Sequence, residues 1–143
     1  MDFPDLPSVP IENLDAFLAV VGQWNLYDME IRELRFHAET PTGAMLEADL
    51  CLHGDNLRPR AADGPAIEHE FVFRFSGVQD CDVTSFGQQN VVGEYEFVGL
   101  PSDDTGQASI RVSISGVVGC DLRLKCRTIA IVSVREVPVR GAA

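Results

Sequence analysis

The sequence predicts a mainly β domain of the α+β class: an antiparallel sandwich or strongly curled sheet of about eight strands, with one N-terminal helix. Three observations carry that expectation. Apolar residues recur at every second position through most of the chain after Leu26, the period of a strand with one dry face. A helical period occurs once, near the N-terminus. No helical stretch separates the later strands, which leaves no place for the crossovers of a parallel sheet. At 143 residues one domain over 1–143 is expected, with the helix at about 10–22 and the β region at about 26–138. A chain of this length buries roughly 68–70% of the surface it exposes when unfolded.

The helix comes first. Ile11, Leu14, Phe17, Leu18 and Val21 repeat at spacings of three and four and so share one face. Ser8 and Pro10 suit its start, Glu12 and Asp15 the positive end of its dipole, and Gly22 its stop. The strand at Glu30 to Ala38 changes apolar phase between Ile31 and Leu34, which predicts a bulge near Arg32-Glu33. From Ala44 to His53, Ala44, Leu46, Ala48, Leu50 and Leu52 face one way, and Met45, Glu47, Asp49, Cys51 and His53 the other. Residues 54–65, rich in Gly, Pro, Asn and Asp, read as a long exposed loop.

The strongest strand runs from Ile67 to Phe75, with Ile67, His69, Phe71, Phe73 and Phe75 on its dry face. Shorter strands follow at 78–84 and 91–98, the second turning Tyr95 and Phe97 inward. Ala108 to Ile114, Cys120 to Cys126 and Ile129 to Val137 complete the set. The one-sided alternation fits antiparallel strands with a dry face and a wet face.

Charge narrows the function classes. The net charge is −11, and a strongly acidic domain repels phosphate, so nucleic acid and anionic membrane surfaces are not expected partners. The charge is also segregated along the chain: −15 over residues 1–104 and +4 over residues 105–143. No run approaches the ~20 apolar residues of a membrane span. The start, Met1-Asp2-Phe3-Pro4-Asp5, lacks the basic region of a secretory signal. A cytoplasmic location is expected.

Chemistry is sparse. Phosphate-binding glycine loops and a nucleophile elbow are absent. His69 falls in phase with a Phe-rich core face, and His37 is tied by spacing to no nucleophile. Cys51, Cys81, Cys120 and Cys126 read as free thiols acting as small hydrophobes, because a chain of this size needs no staples. The most suggestive set is Glu47, Asp49, Cys51 and His53 on one strand face. Side chains two apart on a strand stand ~6.6 Å apart, so all four cannot reach one ion. A solvated face is the preferred reading, with a metal-dependent enzyme as its rival. No catalytic residue, cofactor or metal is expected.

The binding feature that remains is acidic. Glu68 and Glu70, Asp80 and Asp82, and Glu94 and Glu96 occupy outward positions of three successive strands. Were these strands neighbours in a meander, six carboxylates would share one wet face and speed association with a basic partner. The 54–65 loop, with Asp55, Arg58, Arg60 and Asp63, is a second candidate contact.

Trp24-Asn25-Leu26-Tyr27-Asp28-Met29-Glu30-Ile31, then Phe71-Val72-Phe73-Arg74-Phe75-Ser76-Gly77-Val78, resembles the bacterial polymorphic-toxin immunity proteins, closest to the family numbered fifty. The similarity continues through Phe86-Gly87-Gln88-Gln89-Asn90-Val91-Val92 and a closing Gly119-Cys120-Asp121-Leu122-Arg123-Leu124-Lys125-Cys126 strand. It covers residues 11–135 in order. Tyr27 stands where the family commonly has His, so a role that needs the imidazole does not carry over, whereas Asp28 matches. The resemblance implies a small cytoplasmic antidote that binds a cognate toxin domain stoichiometrically. A basic toxin such as a nuclease suits the acid excess. The alternative reading is a β module holding a small apolar ligand.

Overall fold

The computed structural model describes residues 6–38, 46–55, 67–87 and 89–138. Among the described residues one helix, α1 (Leu14–Val21), precedes eight strands: β1 (Glu30–Ala38), β2 (Leu46–Asp55), β3 (Ile67–Val78), β4 (Asp80–Thr84), β5 (Val91–Leu100), β6 (Ser109–Val118), β7 (Asp121–Cys126) and β8 (Thr128–Pro138). The strands form one antiparallel sheet, not closed, in the order β4-β7-β6-β5-β1-β2-β3-β8. A single curled sheet is thus the form taken, rather than a sandwich of two.

The sheet has two groups of four strands joined at a narrow seam. Only Glu30 and Val91 pair between β1 and β5, reinforced by Ile31 N–H to Asn90 O at 2.7 Å and Val92 N–H to Met29 O at 2.9 Å. The groups are joined a second time through the chain itself. β3 runs into β4 past Gln79, and β7 runs into β8 past Arg127. Pairing carries through both bends: Gln79 N–H reaches Lys125 O at 2.8 Å, and Arg127 N–H reaches Ser76 O at 2.9 Å. Such bends make the corners at which a sheet turns. Gly77, at φ 68, takes the left-handed backbone that a side-chain-bearing residue would resist here.

Alternation places the core as expected. Phe71, Phe73 and Phe75 are fully buried beside Leu50, Leu52, Ile129 and Ile131 from one group and Val112, Ile114, Leu122 and Leu124 from the other. Phe17 of α1 packs its ring 4.8 Å from Phe71 and 5.9 Å from Phe73. Trp24 lies 6.1 Å from Phe73 and 5.4 Å from Phe97, so one indole touches both groups. The bulge also falls where the phase change put it, between Ile31 and Glu33.

The helix starts later than its apolar spacing suggests. Residues 10–13 are drawn out of it because Glu12 pairs with β8: its N–H reaches Ile129 O at 2.9 Å, and its carbonyl accepts Ile131 N–H at 2.8 Å. Asn13 turns the chain at φ 62 and its side chain donates to Ile131 O at 3.2 Å. This short stretch blunts the outer edge of β8, which would otherwise offer unpaired backbone groups to another chain. Gly22 ends the helix as expected, at φ 90 with its N–H on Leu18 O. No helix among the described residues is long and apolar enough to cross a membrane.

Candidate functional site

The six outward acids are not brought together. β3, β4 and β5 do not neighbour one another; β4 pairs with β7, β5 with β6, and β3 with β2 and β8. The meander is replaced by long-range pairing, and bases from the later strands are interleaved between the acids. On the outer face of β4-β7-β6-β5, Asp80 stands opposite Lys125, which stands opposite Arg111. In the next row Asp82 faces Arg123, then Ser113, then Glu96. The third row carries Asp121, Ser115 and Glu94. The segregation along the chain therefore becomes a mosaic in space: a basic centre flanked by Asp80 and Asp82 on one side and Glu94 and Glu96 on the other.

β4 carries the most accessible part of this face. Asp80, Cys81 and Asp82 are all exposed. A groove of about 360 Å³ runs beside them, lined also by Leu100, Arg111, Arg123 and Lys125. A second groove, of about 320 Å³, opens between β1 and the chain leaving β4, lined by Arg32, Glu33, Leu34, Phe36, Val83 and Phe86. Phe36 and Phe86 are 45% and 48% exposed. β4 thus lines both grooves, with Asp80, Cys81 and Asp82 in the first and Val83 in the second.

Glu68 and Glu70 lie on the other group of strands and are partly buried. Glu70 has its own partners, Arg135 Nε at 2.7 Å and His53 Nε2 at 2.9 Å. The Asp55 backbone pairs with Glu68 at the end of β2; the Asp55 side chain and Arg58, Arg60 and Asp63 lie outside the described residues.

The outer face of β2 is not the solvated surface expected for it. Asp49 and Cys51 are only 5% and 7% exposed. Cross-strand neighbours divide the four suggestive residues into two sets. His37 of β1 stands opposite Glu47, 3.1 Å away, and 3.6 Å from Asp49. Arg74 of β3 stands opposite Asp49 and clamps both of its oxygens, at 2.8 and 3.0 Å. That hydrogen bonding, with the charge of Arg74, holds the Asp49 carboxyl below the usual carboxylate range. The other set is Cys51, His53 and Glu70, whose donor atoms all lie within 4.8 Å of one another. Burial, then the Glu70 carboxylate, pushes the Cys51 thiol up to about 12. Glu70 is held at about 2, mainly by Arg135, and also by hydrogen bonds from His53 and Cys51.

Sequence spacing found the β2 members of both sets and missed His37 and Glu70 as their partners. The missing signal is pairing register, which no local pattern encodes. All four cysteines are free, as expected, but Cys81 is exposed where a buried hydrophobe was read.

The motif residues have identifiable structural work. Buried Asn90 accepts N–H groups from Gly87 at 2.9 Å and Cys120 at 3.1 Å and donates to Gly87 O at 3.0 Å, tying the β4–β5 connection to the β6–β7 turn. Gly119 (φ 84) passes so close that an added Cβ would stand 2.2 Å from Gln89 O. Tyr27 is 54% exposed, with its ring 5.0 Å from Tyr95. Known family models and curated proteins were both compared with this chain, and none matches it.

Proposed function

We propose that the protein is a bacterial immunity protein that neutralises a cognate toxin domain in the cytoplasm by stoichiometric binding, with β4 at the centre of the contact. The observation that carries this reading is the position of β4. Asp80 and Asp82 stand exposed in one groove, and Val83 of the same strand lines a second with Phe36 and Phe86. Half-exposed aromatic anchors beside charged residues are the usual composition of a protein contact. The order of sequence motifs over residues 11–135 supports the immunity reading. The packed interior, where Phe17, Phe71, Phe73 and Phe75 are fully buried, favours recognition at the surface over a ligand held inside.

The acid excess favours a basic toxin. On the mosaic face Asp80, Asp82, Glu94 and Glu96 attract such a partner, while Arg111, Arg123 and Lys125 between them set its register and reject a uniformly basic surface. The test is co-expression with the toxin encoded by the neighbouring gene, followed by co-purification. Rescue of growth with a one-to-one complex is expected. Phe36→Ala with Phe86→Ala, and separately Asp80→Lys with Asp82→Lys, should each weaken the complex at least about tenfold, the size of one lost hot spot. Unprotected cells and no complex would sink the reading; full affinity in both double variants would remove β4 from the contact.

A further inference from the structure

The set formed by Cys51, His53 and Glu70 stands apart from the proposed toxin contact, on the outer face of the first group of strands. Cys51 and His53 are two positions apart on β2, and Glu70 is the register partner of His53 on β3. The three donors converge from two paired strands of one rigid sheet, so little ordering is needed on binding. Their atoms lie within 4.8 Å of one another, with His53 Nε2 2.9 Å from Glu70 Oε2. Tetrahedral zinc with Zn–S near 2.3 Å and Zn–N near 2.0–2.1 Å holds its donors about 3.3–3.6 Å apart. Sub-ångström to one-ångström shifts of side chains would therefore suffice.

We infer that Cys51, His53 and Glu70 form a three-donor site for a borderline-soft divalent cation, zinc above all. The donor types select the metal: a thiolate and an imidazole favour zinc over magnesium or calcium, which take oxygen ligands. The charges close as well. A thiolate and a carboxylate neutralise a dication, and the cation replaces the proton that burial otherwise keeps on the Cys51 thiol. Glu70 is already oriented: Arg135 holds Oε1 at 2.7 Å and leaves Oε2 turned to His53, the arrangement by which an outer group fixes a ligand. The His37, Glu47 and Asp49 set does not qualify, because Arg74 occupies both oxygens of Asp49. Three protein donors leave a fourth position for water.

The test is titration of metal-free full-length protein with cobalt(II), reading the near-ultraviolet thiolate-to-cobalt charge-transfer band, then displacement by zinc. One equivalent per chain is expected. The band should vanish in Cys51→Ser. Affinity should fall at least about tenfold in His53→Gln and in Glu70→Gln, with unchanged circular dichroism, and stay at the wild-type level in His37→Gln. Affinity should rise with pH, because binding releases the thiol proton. No band, a band that survives in Cys51→Ser, or loss in His37→Gln alone would overturn the site. Should Cys51→Ser fail to fold, His53→Gln decides: wild-type affinity there overturns it.

Discussion

Arg74 and Asp49 form a two-pronged ion pair across β2 and β3, with Nε and Nη2 of the guanidinium 2.8 and 3.0 Å from the two carboxylate oxygens. Asp49 is buried and Arg74 is partly exposed, so the arginine is both partner and shield. Arg74→Ala removes both short hydrogen bonds of a buried carboxylate and leaves it the longer His37 contact at 3.6 Å. The expected cost is about 1–3 kcal/mol, the penalty of an unsatisfied buried group moderated by solvent. Asp49→Ala with Arg74→Ala should cost less than the sum of the single changes, measured by urea unfolding at pH 7 in a double-mutant cycle.

Glu70 predicts an acid limb in the stability profile. Its folded pKa, about 2, lies below the ~4.3 of an unfolded glutamate, so the unfolded state takes up protons first as pH falls. The contribution is fully present above pH ~4.3 and is lost between there and about 2. Glu70→Gln should flatten that window relative to wild type, with chelator present to exclude metals. Denaturant titrations at pH 3 and pH 7 measure it; an unchanged difference between the two pH values would count against the Arg135 and His53 contacts.

The Asn90 side chain makes three hydrogen bonds, two with Gly87 inside the β4–β5 connection and one from Cys120 in the β6–β7 turn. Asn90→Ala strands the buried N–H of Cys120 and should cost about 1–3 kcal/mol. Gly119→Ala should cost at least about 1 kcal/mol, since it combines positive φ with a Cβ pressed on Gln89 O. Thermal or urea unfolding separates both from wild type.

The four thiols should divide one against three. Cys81 is exposed, whereas Cys51, Cys120 and Cys126 are buried. An aromatic disulfide reagent should modify one thiol per native chain and the other three only after unfolding. Partial desolvation of its sulfur and the neighbouring Asp82 raise the Cys81 thiol above its ordinary value, so at pH 8 it should react more slowly than a free thiol. Two or more fast native thiols would contradict the burial of the other three.

Much of this was legible locally. The inward series Phe71, Phe73 and Phe75, the phase break at Arg32, and the stop at Gly22 each follow from period and backbone preference within a few residues. Pairing was not, because which strands meet is decided by the packing of the whole chain. That is why two strands stand between Glu96 and Asp82, which carry Ser113 and Arg123 in that row, and why Glu70 joined Cys51 unannounced. The helix start was misread for the same reason: Ile11 keeps the apolar spacing, but Glu12 has its backbone committed to β8.

The stitch between Glu12 and Ala130 also bears on how the molecule is made. Asn13 finds its acceptor 118 positions along the chain, on Ile131, and β3 finds β8 across some sixty residues. Topologies dominated by such distant pairings fold in milliseconds to seconds rather than microseconds. During synthesis residue 12 must wait for more than a hundred further residues to emerge before its edge partner exists. Until then one edge of β3 has no partner strand, and an unpaired edge is open to pairing with another chain.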